Sequence, residues 1–232
     1  WIQYQAFDVT RHLLQGENAV GVMLGNGWYK GRFTYRANAR EIYGDRFALI
    51  CELVVTYRDG TTEVVCSDQS WKAKPSHILA SSIYDGEVQD ANSYLPGWSR
   101  PELDDSGWDQ VRLIDLGYGR LQERRSLPVR IKERIKPVEV IHTPNGETVL
   151  DFGQNMVGWV SFNTNAPKGA RILLQYGEAL QGGCFSQENL RSAKAEFTYI
   201  ADGKPAKVRP HFTFYGFRYV KVEGWEGELS LD

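Results

Sequence analysis

Long apolar runs are missing from this chain. No stretch approaches the roughly 18 consecutive apolar residues that a membrane helix needs. Cysteine is scarce, with three among 232 residues, and three thiols cannot all pair within one chain. No two of them have metal-ligand spacing, which argues against a zinc site. An excess of charge is lacking too: a net charge of −2 gives no electrostatic reason to expect nucleic acid or an anionic membrane as partner. Residue 1 is Trp rather than Met. No signal peptide is visible, but a trimmed chain could have lost one, so localisation (cytoplasmic, periplasmic or secreted) is not readable from this end.

What is present describes a folded protein. Hydrophobic residues make up 42% of the chain and charged ones 24%, with seven Trp, enough to build a core and too apolar for disorder. Helical periodicity is nearly absent. Residues 8–14 could form a turn or two, capped by Asp8 or Thr10 and stopped at Gly16. Short strand patterns fill the rest: 1–7, 19–24, 148–152, 157–163, 170–176, 196–200 and 217–223, separated by Asn26-Gly27, Asp59-Gly60, Pro144-Asn145-Gly146, Pro167-Lys168-Gly169 and Asp202-Gly203. Leu49, Cys51, Leu53, Val55 and Tyr57 alternate along one strand, and Val64 and Cys66 supply the same inward face on its partner. If Arg58 faces Thr61 across Asp59-Gly60, Leu53 opposes Cys66 and Cys51 opposes Asp68. The two sulfurs are then diagonal neighbours, poorly placed for a disulfide, and free buried thiols are expected. The spacing predicts an all-β fold of two β-sandwich or jelly-roll domains in tandem, divided where alternation lapses between 115 and 128, into 1–126 and 127–232.

Three blocks of the second half travel together: Asp151-Phe152-Gly153-Gln154-Asn155-Met156-Val157-Gly158-Trp159, Glu188-Asn189-Leu190-Arg191-Ser192-Ala193, and the run from Pro210 to Val220. In the first half, Gly25-Asn26-Gly27-Trp28-Tyr29-Lys30-Gly31 is joined by Tyr43-Gly44-Asp45 and Tyr84-Asp85-Gly86-Glu87. Asp8-Val9-Thr10, Leu13-Leu14 and Gly16-Glu17-Asn18 look like the jelly-roll sugar-binding domains that accompany many glycosidases, with Leu13 and Leu14 plugging one end of the sandwich. Asp104-Asp105-Ser106-Gly107-Trp108 and Gly97-Trp98 also recur in such domains. Together, and in order over nearly the whole chain, these blocks resemble the bacterial α-L-rhamnosidases of glycoside hydrolase family 78.

The resemblance implies a jelly-roll (galactose-binding-like) N-terminal domain over 1–126 without its leading strands, which would leave an unpaired sheet edge. It implies a concanavalin-like β-sandwich over 127–232. It further implies that the parent enzyme is bacterial and hydrolyses terminal α-L-rhamnose from glycosides with inversion. The family's acid and base lie in a downstream (α/α)₆ barrel, a catalytic domain of the same polypeptide. This chain has no run of amphipathic helices from which to build one, so it reads as a non-catalytic fragment, inactive alone, that supports the barrel and helps bind rhamnosylated substrate.

Residues 84–90 place Asp85, Glu87 and Asp90 within six positions, followed by Asn92 and Trp98. Sugar sites combine carboxylates and amides, which bind hydroxyls in pairs, with an aromatic face that stacks on the pyranose. Asn26 and Trp28 join the set if the two loops meet. No cofactor is required, but some domains of this type in rhamnosidases are similar to calcium-dependent rhamnose-binding modules. Asn26, Asp90 and Asn92 would suit calcium. The bland reading stands beside this one: Asp85 and Asp90 cap turns, and Glu87 pairs with an arginine. Glycoside hydrolysis needs two carboxylates about 5–10 Å apart, and spacing in sequence does not decide whether this loop holds such a pair. Two rivals therefore remain, an autonomous calcium-dependent carbohydrate-binding module and a complete small β-sandwich hydrolase.

His12, His77, His142 and His211 are scattered and read as structural, and no Gly-x-Ser-x-Gly supports a serine nucleophile. The second half's blocks read as architecture. Asp151 and Asn155 bond loop backbone in a strand-turn-strand, Glu188 and Arg191 either stay structural or contact the catalytic domain, and Phe212, Phe214, Phe217 and Tyr219 form a buried sheet face.

Overall fold

A computed structural model describes residues 2–34, 36, 39–115 and 121–231. Trp1 of the expected first strand, and residues 116–120 of the expected boundary, lie outside the described residues. The fold is almost entirely β. The strands are β1 (Ile2–Tyr4), β2 (Glu52–Thr56), β3 (Thr62–Cys66), β4 (Lys72–Ala73), β5 (Ile78–Ser82) and β6 (Gly86–Asp90). They continue as β7 (Asp109–Gln110), β8 (Leu121–Glu123), β9 (Glu139–His142), β10 (Thr148–Gly158), β11 (Phe162–Thr164) and β12 (Arg171–Gly177). The last are β13 (Ala179–Gln181), β14 (Cys184–Ser186), β15 (Glu196–Ile200), β16 (Ala206–Val208) and β17 (Tyr215–Glu223). One α-helical turn, α1 (Gly27–Lys30), and three 3₁₀ turns are the helical elements among the described residues.

Two compact units form, and neither is continuous. The first comprises residues 1–22, 48–74 and 96–133, the second 23–47, 75–95 and 134–232. Segments 23–47 and 75–95, which sequence spacing groups with the first half, thus pack with the second. Segment 23–47 is tied by hydrogen bonds of Asn26 to Ser81 and of Arg32 to Ser192, and for 75–95 the cause is strand pairing. β6 hydrogen-bonds in parallel with β15, Gly86 opposite Glu196 and Asp90 opposite Ile200, and a ladder once formed holds its whole segment.

In the first unit the strands pair as β1–β8, β2–β3 and β4–β7. The β2–β3 register differs from the spacing's prediction. Tyr57 donates its amide to Thr61 O at 2.8 Å and Gly60 donates to Tyr57 O at 3.0 Å, so the loop has three residues rather than two. Gly60 takes φ +86, the left-handed position that closes such a loop. Every pair therefore shifts by one: Glu52 opposes Cys66 and Leu53 opposes Val65. Cys51 and Cys66 fall on opposite faces of the hairpin. All three thiols are free, but Cys66 is exposed rather than buried. Leu53 and Val55 keep the expected half-buried alternation, while β3 is exposed throughout. Near the start, Asp8 Oδ1 accepts the Thr10 amide at 3.0 Å, and a 3₁₀ turn runs Thr10–His12. Leu13 is half-buried, and Leu14, expected as a plug, is 72% exposed. No strand forms over 19–24.

The second unit is built on a seven-stranded sheet in the order β5-β6-β15-β12-β17-β10-β9. Its core gathers Leu150, Phe152, Ile172, Leu174, Tyr176, Phe197, Tyr215, Phe217 and Val220, with Phe162 and Trp225 packed against it. Consecutive buried residues Ile172, Leu173 and Leu174 suit β12, a central strand covered on both faces. Each such side chain fully removed from water contributes about 1.5–3 kcal/mol. Tyr176 and Tyr215 stack at 3.7 Å between ring centroids, and the Tyr215 hydroxyl donates to Glu196 O at 2.9 Å.

Two motif readings change here. Residues 148–158 are one strand with a register irregularity between Asp151 and Met156 against β17, not a strand-turn-strand. Asp151 does bond loop backbone, accepting the Gly153 amide at 2.7 Å, but Asn155 donates to Glu178 Oε1 at 3.1 Å instead. Asp151 also receives Arg218 through Nε and Nη2, both at 2.8 Å. The buried face near residue 215 is Thr213, Tyr215, Phe217 and Val220, while Phe214 is 39% exposed and Phe212 and Tyr219 half-buried. Residues 211–214 precede the strand, so their aromatic alternation is not a sheet face.

Two stability outcomes follow. Gly86 has φ +105, and a Cβ there would sit 1.7 Å from Glu196 O. Gly86→Ala should cost about 3 kcal/mol or more in urea unfolding. Gly60→Ala, with nothing within 4 Å, should cost only the backbone strain of about 1–2 kcal/mol. For Asp151, the Arg218 guanidinium, helped by the Gly153 amide and opposed by burial, holds the carboxyl below its ordinary range. Asp151→Asn should cost about 1.5–3 kcal/mol at neutral pH. Because the folded pKa is depressed, that advantage is complete above the unfolded value of about 3.9. It vanishes as pH falls through the lower folded value. Equal stabilities of the two proteins at pH 7 would refute the assignment.

Candidate functional site

β6 carries the site. Its alternation turns Glu87 and Gln89 inward, and Glu87 is only 2% exposed. A carboxylate is costly to bury unless hydrogen bonds replace its water. Here Glu87 accepts the His211 amide at 3.0 Å, the Phe212 amide at 2.7 Å and Gln89 Nε2 at 2.6 Å. Gln89 Nε2 also donates to Arg209 O at 2.9 Å. The clasp fixes residues 209–212. Phe212 then lies flat on Gly25, where a Cβ would meet its ring at 2.4 Å.

From Gly25 the chain enters the Asn26 loop. Asn26 is tied to β5: its amide donates to Ser81 Oγ at 3.0 Å and its Nδ2 to Ser81 O at 2.8 Å. The following turn, α1, leaves Trp28 48% exposed. Trp28 meets Phe33 and Tyr84 edge-on, both at 5.8 Å, and Phe33 meets Tyr43 at 5.6 Å. An aromatic rim results, set beside charge.

Asp85, at the foot of β6, sits between two guanidiniums. Arg40 Nη2 donates to its Oδ2 at 3.1 Å, and Arg32 Nη1 lies 3.2 Å from its Oδ1. Arg32 is 3% exposed, stacks over the Tyr84 ring at 5.3 Å and donates through Nη1 to Ser192 O at 2.9 Å. Its approach to Asp85 lacks hydrogen-bonding geometry, so Arg32 Nε and Asp85 Oδ1 are buried without a hydrogen-bond partner. A cavity of about 400 Å³ opens here, lined by Arg32, Thr34, Tyr84, Asn189 and Ser192 among others.

Of the residues that the spacing nominates, Asn26, Trp28, Asp85, Glu87, Asp90 and Asn92 all belong to the second unit, whereas Trp98 belongs to the first. Trp98 covers Gly21 there, at 2.4 Å from a notional Cβ. The arginines that the alternative reading gave to Glu87 go to Asp85 instead. Asp90 caps a turn, its Oδ1 accepting the Asn92 amide at 3.0 Å and Asn92 Nδ2 at 2.8 Å. Asn92 Nδ2 also reaches Ala201 O at 3.2 Å. Asn26 and Asn92 thus spend their amide Nδ2 groups on Ser81 O and on Asp90 Oδ1 and Ala201 O, whereas calcium would be held through carbonyl and carboxylate oxygens. Among the described residues no three His, Cys, Asp or Glu side chains group as metal ligands.

Arg32, Arg40 and Ser81 carry no motif and escape a search for one. The available signal was charge: residues 23–47 hold Lys30, Arg32, Arg36, Arg40 and Arg46 against Glu41 and Asp45, net +3 in a chain of net −2. The histidines are less scattered than their spacing implies, since the His77 and His211 rings lie 6.3 Å apart. Glu188, in a 3₁₀ turn, accepts Gln181 Nε2 at 3.3 Å.

Comparison with known proteins supplies the family. The family described as the alpha-L-rhamnosidase N-terminal domain matches residues 1–133, and that described as the bacterial alpha-L-rhamnosidase concanavalin-like domain matches 141–232. An alpha-L-rhamnosidase of Streptomyces avermitilis is 37% identical over 232 residues, covering 99% of this chain and 22% of that protein. One from Alteromonas sp. strain LOR is 36% identical over 228 residues, covering 97% and 25%. Among solved structures, the S. avermitilis enzyme complexed with L-rhamnose superposes with TM-score 0.83 at 36% identity, over 88% of this chain and 20% of that one. The native Aspergillus terreus enzyme gives TM-score 0.82 at 38% identity, over 90% and 24%. The chain spans 22–25% of the length of the curated relatives it matches. With two family matches in order along nearly its full length, the chain belongs to the bacterial α-L-rhamnosidase family, of which it carries the N-terminal and concanavalin-like domains.

Proposed function

We propose that this chain is the non-catalytic N-terminal region of an enzyme that hydrolyses terminal α-L-rhamnosyl groups, and that it supports a catalytic barrel supplied by the rest of the polypeptide. The observation that carries this reading is the match of the whole chain to about one quarter of its rhamnosidase relatives. The state of the local carboxylates supports it. A glycosidase acid or base must face a sugar with a free oxygen. Glu87 is enclosed by backbone and Gln89 donors, Asp85 is held between Arg32 and Arg40, and Asp90 caps its own turn.

The same face serves substrate binding. Trp28, Phe33, Tyr43 and Tyr84 present aromatic surface of the kind that packs on the apolar side of a pyranose, and the neighbouring cavity offers polar groups for hydroxyls. In this reading the region holds a rhamnosylated glycan without calcium, one Asp90 oxygen being already taken by Asn92.

Turnover of an aryl α-L-rhamnoside tests the first part. The chain alone should give none, while the polypeptide carried on to the full length of its relatives should be active; turnover by the chain alone would sink the non-catalytic assignment. Calorimetry with L-rhamnose tests the second part. Binding should be unchanged by EDTA and at least about tenfold weaker in Trp28→Ala. Loss of binding on chelation would favour the calcium-dependent module instead.

A further inference from the structure

Beside the cavity two guanidiniums share one carboxylate. Lys30 is paired with Glu41 at 2.9 Å and Arg46 with Asp45 at 2.9 Å. Among the described residues, Asp85 is the carboxylate that pairs with both Arg32 and Arg40. One negative charge between two guanidiniums leaves the group at +1. Arg32 is also buried with its Nε unpartnered, in a protein where buried polar groups are ordinarily satisfied. Arg40, by contrast, has a side chain 59% exposed, so it keeps donors open to solvent beside Asp85.

We infer that this site takes an acidic sugar, a pyranose bearing a carboxylate, with its apolar face on the Trp28–Tyr84 rim and its carboxylate on Arg40 and the Arg32 side of the cavity. This deepens the proposed glycan-binding role and rests on it. The chemistry on each side is complementary. A guanidinium offers a planar fork of donors that matches a carboxylate in two parallel hydrogen bonds. The incoming charge supplies the second anion that Asp85 alone does not. A cavity of about 400 Å³ is of the size that takes one or two sugar rings. The local net charge of +3 over residues 23–47, in a chain of net −2, raises the concentration of an anionic glycan at this face.

The experiment uses a matched pair, methyl β-D-glucuronide and methyl β-D-glucoside, which differ only in the carboxylate, with L-rhamnose alongside. By calorimetry at low salt the glucuronide should bind at least about tenfold more tightly. That margin should shrink as salt is raised and disappear in Arg40→Ala, whose exposed side chain can be removed without unfolding the site. Trp28→Ala should weaken all three sugars. Equal affinity for glucuronide and glucoside, or a margin that survives Arg40→Ala, would overturn the acidic-sugar assignment. If L-rhamnose still bound, the glycan-binding reading would stand. Binding of none of the three sugars would overturn both.

Discussion

The buried carboxylate of Glu87 is the constraint on which the second unit's functional face depends. Its burial is tolerable only because two backbone amides and one side-chain amide replace the water it lost. The two backbone amides, of His211 and Phe212, come from a segment 124 positions or more away in the chain, and the side-chain amide from Gln89 on the same strand. The consequence propagates by contact. The held segment presents Phe212, Phe212 rests on Gly25, and Gly25 opens the loop that Asn26 pins to Ser81 and that displays Trp28. A residue without chemistry of its own thus sets where the aromatic rim stands relative to Arg32 and Asp85.

Legibility in the sequence tracked the locality of the physics. β15 was readable to the residue, because alternation and flanking turn residues are short-range signals. The β2–β3 register was not, since a two-residue and a three-residue loop through Gly60 differ by one position and yet exchange every face. The aromatic run around residue 214 misled for a related reason: alternation identifies a strand only where a ladder exists, and the ladder begins at Tyr215. Glu87 and Asp85 were both singled out, but their partners exchanged roles. Which carboxylate meets an arginine depends on tertiary neighbours that spacing within 84–90 does not contain. Arg32 and Arg40 were invisible as a motif because their common partner lies in another segment.

The block at 151–159 is held by several demands made on one carboxylate. Asp151 must accept a glycine amide and both arms of Arg218 at once. The strand must break register there to allow it. Such a demand limits the residues that fit, without leaving any group over to act on a ligand. The block and the aromatic rim of Trp28 and Tyr84 accordingly occupy different places within one unit.

Parallel pairing of β6 with β15 also bears on how the protein comes into being. Gly86 is made about 110 residues before the strand position it must face. At about 5–20 residues per second of synthesis, the β5–β6 hairpin waits on the order of ten seconds with an unpaired edge. A waiting edge of apolar residues invites association with other nascent chains. Here the waiting strand, β6, carries Glu87, Gln89 and Asp90 with Val88 as its one large apolar residue, and the three polar side chains remain well hydrated until their partners emerge. The polar residues that later bind the sheet's loops together also keep the unfinished chain soluble while it is being made.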